Sequence, residues 1–212
     1  MASVKIKLTD VIKYLIEVMI VAFGVVLGLV LSQHYQQKRT DENTHKALMQ
    51  IVSELDINIE KFEEAINYHR KISVQIDSTF RGLDDDALEG KYYAYKRTKF
   101  YELPEWTGIG VAKPDQVSYE SAKVSGVFQE VNISTLRSIT NAYSMMEVYE
   151  EFTKTYSTNI LGLNSRTTVL DAMGMMNTMR NDMVFFEEQT LGALRKSKSE
   201  LLEVMDGNGY KK

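Results

Sequence analysis

Cysteine is absent from this chain of 212 residues, tryptophan occurs once and proline twice. The missing thiols exclude a disulfide framework, a thiolate metal site, a cysteine nucleophile and a lipid-modified cysteine anchor. They do not select a compartment. Histidine is scarce as well. His34, His45 and His69 lie eleven and twenty-four residues apart, so no two can share one ion within a helix. An excess of basic charge is also lacking: 25 Lys and Arg face 29 Asp and Glu, a formal charge of −4. With no basic patch and no interleaving of aromatic and basic residues, nucleic acid is not an expected partner. No nucleophile elbow, phosphate loop or paired histidine ligands are present, so neither an enzyme nor a bound cofactor or metal is expected.

The most informative feature present is an apolar run from Tyr14 to Leu31, YLIEVMIVAFGVVLGLVL, broken only by Glu17. Eighteen helical residues at ~1.5 Å each span roughly 27 Å, close to the hydrocarbon thickness of a bilayer. A cleaved signal peptide is the competing reading. Its core is usually shorter, and Val30, Leu31 and Ser32 make a poor cleavage site. The run is therefore expected to remain as a transmembrane helix over 14–32, after a short arm at 1–13. Gly24 and Gly28 are spaced for close backbone approach of two helices in lipid. Glu17, Gly24 and Leu31 recur every seven residues and share one face, a polar and small-residue stripe suited to another membrane helix. Three lysines precede the run (Lys5, Lys7, Lys13) and Lys38, Arg39 and Lys46 follow it, so the positive-inside rule gives no bias. The free amino terminus tips the expected topology to N-terminus in. That puts the protein in the inner (cytoplasmic) membrane with the bulk of the chain in the periplasm.

A heptad seam begins farther on: Leu48, Val52, Leu55, Ile59, Phe62, Ile66, His69, Ser73, Ile76, Phe80 and Leu83. Alternating steps of four and three predict a helix packed along one side, with Leu55, Ile59, Phe62 and Ile66 at the coil or bundle interface. Glu54, Asp56, Glu60, Lys61, Glu63, Glu64, Arg70 and Lys71 fall outside the seam and read as a solvated face. Backward, the same phase runs through polar residues, giving a polar helical stalk at 33–47. The three histidines share this register, which raises a pH switch or a metal ring across an oligomer, though chance spacing explains it as well.

Residues 82–115 hold both prolines and break the helical pattern. This insert also collects aromatics. Tyr92, Tyr95 and Trp106 could rim a pocket, although packing of an irregular cap is the plainer reading. Asp84, Asp85 and Asp86 read as the start of a helical turn rather than a cation site. Periodicity returns at Asp115 with Val117, Ala122 and Val124 up to a break at Gly126. Asn132 or Ser134 then caps a helix through Leu136, Ile139, Tyr143, Met146, Tyr149, Thr153, Tyr156, Ile160 and Leu163. The last helix is expected from about Arg166 to Met205, with Leu170, Met173, Met176, Met183, Phe186, Leu191, Leu194 and Leu201 buried. Its methionines between 173 and 183 read as core filling more readily than as a recognition surface. Residues 207–212 read as a flexible tail. The expected fold is all-α: an N-terminal transmembrane helix continuing into a long heptad helix, packed with further helices in an extramembrane bundle domain at 48–206. Antiparallel packing of its long helices is the simplest arrangement.

Two stretches carry a family resemblance. The first is the span, with Glu17 and Gly24 seven apart and Gln33 to Tyr35 at its exit. The second is S-Y-E-S-A-K-V-S-G-V-F from Ser118 to Phe128, followed by Leu136, Arg137 and Ile139. Together they resemble a family of single-span bacterial membrane proteins represented in Bacteroidetes and marine Proteobacteria. That family's span reads G-E-I-I-L-V-V-I-G, and its second motif reads Y-x-x-L-K-S-S-G. Here Ile16 replaces the glycine before the glutamate, His34 or Tyr35 stands for a tryptophan, and Ala122 replaces the leucine. The resemblance implies a membrane-anchored helical domain and brings no activity or cofactor.

Two functions fit. One is a non-enzymatic structural or accessory subunit that assembles through its membrane helix and bundle, with itself or with other membrane protein subunits. The other is an extracytoplasmic ligand-sensing module around Tyr92, Tyr95 and Trp106 that would signal through a partner.

Overall fold

The structure, a computed structural model, describes residues 8–95 and 98–207. Most of the arm expected at 1–13, and the tail after Gly207, lie outside the described residues. Among the described residues the fold is all-α, with no strand. The chain divides into two units, Met1–Lys46 and Ala47–Lys212.

The first helix, α1, runs unbroken over Leu8–Phe80. No proline interrupts it, and Gly24 and Gly28 are its only glycines, so nothing in its backbone chemistry ends it before the turn at Gly82. In the first unit its apolar side chains from Ile12 to Leu31 all stand exposed. The most apolar stretch has a mean hydropathy of 2.6, with none of it buried. One helix near the N-terminus is therefore long and apolar enough to cross a membrane.

In the second unit the heptad seam turns inward. Leu48, Val52, Leu55, Phe62, Ile66 and Ile76 are buried, and Ile59 packs half-buried against them. Their partners lie on α4 (Ile133–Leu161) and α6 (Val184–Asp206). Fully burying side chains of this size stabilises by ~1.5–3 kcal/mol each. Short helices α2 (Asp85–Glu89), α3 (Val117–Val124) and α5 (Val169–Thr178) complete the unit.

The helix directions differ from the expected antiparallel packing. Contacts between α1 and α4 rise together: Glu54 meets Tyr143, and the Phe62 ring lies 4.8 Å from that of Tyr149. These two helices are parallel. Contacts with α6 fall as α1 rises, through Asp56–Lys198, Glu63–Arg195, Arg70–Glu188 and, just before α6, Asp77–Arg180. So α6 is antiparallel to α1, and also to α4, where Ser138 donates to Glu200 and the tilted rings of Phe152 and Phe186 meet with centroids 4.7 Å apart. A parallel pair needs a return connection, and residues 81–132 provide it.

Three local expectations also shift. Leu170 is 51% exposed; its neighbours Val169 and Ala172 are the ones buried, because the helix starts at Val169, not near Arg166. The Thr168–Asp171 capping box fixes that start. On α3, Val117 and Val124 face outward while Tyr119 and Ala122 are buried, since Tyr119 stacks on Tyr143 with centroids 4.1 Å apart. The last helix is also interrupted by a π turn over Met179–Met183. Its buried positions Met179, Met183, Glu187 and Leu191 repeat every four residues. A regular α-helix overshoots a step of four by ~40°; the extra residue of a π turn absorbs that drift. Met176, Met179 and Met183 fill the second apolar cluster, beside Ile72, Ile76 and Tyr156.

Candidate functional site

One candidate surface lies on the apolar stretch of α1. Glu17, Gly24, Gly28 and Leu31 lie on α1 in the exposed apolar stretch. A side-chain carbon built at Gly24 or Gly28 meets nothing within 4 Å. Seven residues return to within ~20° of the starting direction on a helix, so Glu17, Gly24 and Leu31 stack on one line. The result is a smooth backbone surface next to a single carboxylate. In lipid such a surface permits close helix contact, and the carboxylate favours a polar partner.

The second site is a strap across the bundle that sequence reading missed. The return segment lies along α1 and is held by α1's polar side chains. Tyr68 donates its hydroxyl to the Gly108 carbonyl at 2.6 Å and accepts from the Thr107 N–H. Asn58 is fully buried and pairs with the Asp115 backbone in both directions, each bond 2.7 Å. Its amide stands in for another peptide group. Glu54 is only 5% exposed, not solvated as expected. Its carboxylate accepts the Ser118 and Tyr119 N–H groups at the start of α3 and the Tyr143 hydroxyl at 2.6 Å. A carboxylate at a helix N-terminus satisfies donors that have no partner within the helix. Burial first, and then the Glu54 hydrogen bond, push the Tyr143 phenol well above its ordinary range.

At the centre of the strap sits His69, fully buried. Its Nε2 faces the Ile109 carbonyl at 2.6 Å. A carbonyl only accepts, so Nε2 carries the hydrogen there. Nδ1 lies 2.9 Å from the Glu187 carboxylate, which also accepts from the Tyr149 hydroxyl at 2.9 Å. Tyr149 in turn accepts from the Ala112 N–H at 2.9 Å. The network joins α1, α4, α6 and the strap, and burial followed by the Glu187 charge raises the Tyr149 phenol. Each polar group meets a partner within the protein, so the arrangement holds the fold rather than presenting a reactive group. The sequence did carry a signal for it: Ile51, Glu54, Asn58, Lys61, Ala65, Tyr68 and Ile72 repeat in steps of three and four, a second seam beside the first.

The remaining candidates separate. Tyr92 is 1% exposed and stacks on Phe100, whose ring lies 5.2 Å from that of Trp106. Tyr95 is 37% exposed and covers Gly90. With its ring closed off, Tyr92 offers no face to a ligand. Asp84 caps α2, accepting the Ala87 N–H. His34 and His45 are exposed while His69 is buried, so the shared register puts them in unlike surroundings. Among the described residues, no group of three His, Asp or Glu side chains is placed to hold a metal ion.

These features define an all-α protein: a helical bundle, and one apolar helix able to span a membrane. No protein-family model, curated protein or solved structure matches the chain.

Proposed function

We propose that this protein is a membrane-anchored, non-enzymatic structural or accessory subunit, held in a bacterial inner membrane by Tyr14–Leu31 with its bundle on the periplasmic side. It assembles through the membrane helix, either with copies of itself or inside a larger membrane complex. The observation that carries this reading is the exposed apolar helix with Glu17, Gly24 and Gly28 along one side. A carboxylate in hydrocarbon costs a few kcal/mol without a partner or an interfacial position, and open glycines suit a neighbouring helix. The buried His69–Glu187 and Glu54 networks support a scaffold role, since their polar groups are occupied in holding the bundle. The burial of Tyr92 weakens the ligand-sensing alternative.

Purification of the full chain from its native membrane in mild detergent tests the proposal. The expected result is a particle heavier than one chain, from self-association or copurified subunits, that Gly24→Leu or Gly28→Leu shifts to lower mass. A strict monomer without copurifying protein, or a protein extracted without detergent, would overturn it. Sidedness is read at Ser199, which is exposed on α6. A Ser199→Cys variant carries the chain's single thiol and can be labelled with a membrane-impermeant maleimide. Reaction in spheroplasts supports the periplasmic placement, and reaction only after lysis refutes it.

A further inference from the structure

On the flank of α6 opposite its ion pairs with α1, a groove of about 660 Å³ runs between α4 and α6. Ser138 and Asn141 line one wall, Ala193 and Ser197 the other. Buried hydroxyls on both helices, Thr135 Oγ1 and Ser197 Oγ, have no hydrogen-bond partner. Both hydroxyls lie closed off beneath the groove. Its walls are themselves polar, with Ser134, Ser138 and Asn141 at helical spacing on α4. A partner with polar side chains at a like spacing suits it better than an apolar one. Farther along the same seam the surface turns apolar, with Val148 47% and Phe185 56% exposed beside the Phe152–Phe186 pair.

Charge is arranged to match itself. Arg137 stands on the α4 lip; Lys196, Glu200 and Glu203 stand on the α6 lip, where Lys196 pairs with Glu200 at 3.8 Å and leaves Glu203 as the carboxylate open to a partner. They lie at one level, because Ser138 donates to Glu200. A twofold axis parallel to the helices sets α4 of one copy against α6 of the other. Arg137 then faces Glu203 of the second copy, and the reverse pair follows by symmetry. Since α4 and α6 are antiparallel, all four helices alternate in direction, the usual geometry of a four-helix bundle. The same axis keeps residue 47 of both bundles at one end, as two copies held in one bilayer require.

We propose that the α4–α6 face is a homodimer interface, with a second copy of this chain in the groove and reciprocal Arg137–Glu203 pairs fixing its register. This rests on the membrane-anchored reading above and names its partner. The test is the mass of the full chain in detergent over a dilution series. Arg137→Glu and Glu203→Arg should each weaken dimerisation about tenfold or more, and the double swap Arg137→Glu/Glu203→Arg should restore it. Both side chains are exposed, so an unchanged melting temperature would separate lost pairing from lost folding. A dimer that survives both single substitutions, or singles that the swap does not rescue, would overturn the interface. If Gly24→Leu or Gly28→Leu alone dissociates the particle, or if the chain copurifies only with other subunits, this inference falls while the membrane reading stands. A strict monomer without copurifying protein defeats both.

Discussion

Glu54 and Glu187 are carboxylates taken out of water, and each is surrounded by donors. By the first apolar seam alone Glu54 reads like Glu60 or Glu63, since all three lie outside it, and only the second seam from Ile51 to Ile72 sets Glu54 apart. What meets its carboxylate is the N-terminus of α3, sixty-odd residues away in the chain, which arrives over it with two free N–H groups. His69 was visible as a seam position, but its partner Glu187 was hidden by the π turn that shifts the last helix's phase. Removing one member of such a buried pair strands the other. His69→Leu or Glu187→Leu should each destabilise the bundle by about 3–5 kcal/mol. The double substitution should cost clearly less than the two single losses added together, as read from urea unfolding. Strictly additive losses would show that the two groups do not act as a pair.

Among the elements, α1 and α4 were legible almost residue by residue, because a long helix repeats its burial pattern many times. The start of α4 was legible as a cap at Asn132 or Ser134 and that of α2 as the acidic run at Asp84–Asp86; the structure selects Asn132 and Asp84. The strap was not, because it has no period of its own and borrows its hydrogen bonds from α1. Gly110 is its most constrained point. It holds a φ of +73°, and a side-chain carbon there would collide with the Tyr68 ring. That ring cannot withdraw freely while its hydroxyl holds Gly108. Gly110→Ala therefore combines left-handed strain with overpacking and should cost about 2–4 kcal/mol. Gly126→Ala, at φ +79° but with no atom within 3.4 Å, should cost only about 1 kcal/mol. Equal losses at the two positions in thermal melts would argue against the strap as described.

For the molecule as a whole, buried phenols tie stability to alkaline pH. Burial pushes Tyr92 up to about 12 from an ordinary 10. It also raises Tyr143, Tyr149 and Tyr156, with burial the largest cause in each. These groups ionise more readily in the unfolded chain. Their contribution is whole below pH 10 and is lost as pH climbs toward 12 and beyond. Each adds a slope of about −1.4 kcal/mol per pH unit in that window. Unfolding followed by circular dichroism should show stability falling steeply above pH 10, and Tyr156→Phe should make the fall shallower by one group's slope. A flat profile would mean that these phenols ionise as easily folded as unfolded.

The sequence alone determined the apolar helix, the all-α class and most of the buried residues of the long helices. Those follow from hydropathy and periodicity, which are properties of neighbours along the chain. Tertiary structure decided that α1 and α4 run parallel, that residues 107–119 strap them together, that Glu54 and Asn58 face inward, and that His69 meets Glu187 and the Ile109 carbonyl. These depend on which distant backbone donors and acceptors come to rest beside a side chain, and a linear pattern does not encode the position of a partner that is distant along the chain.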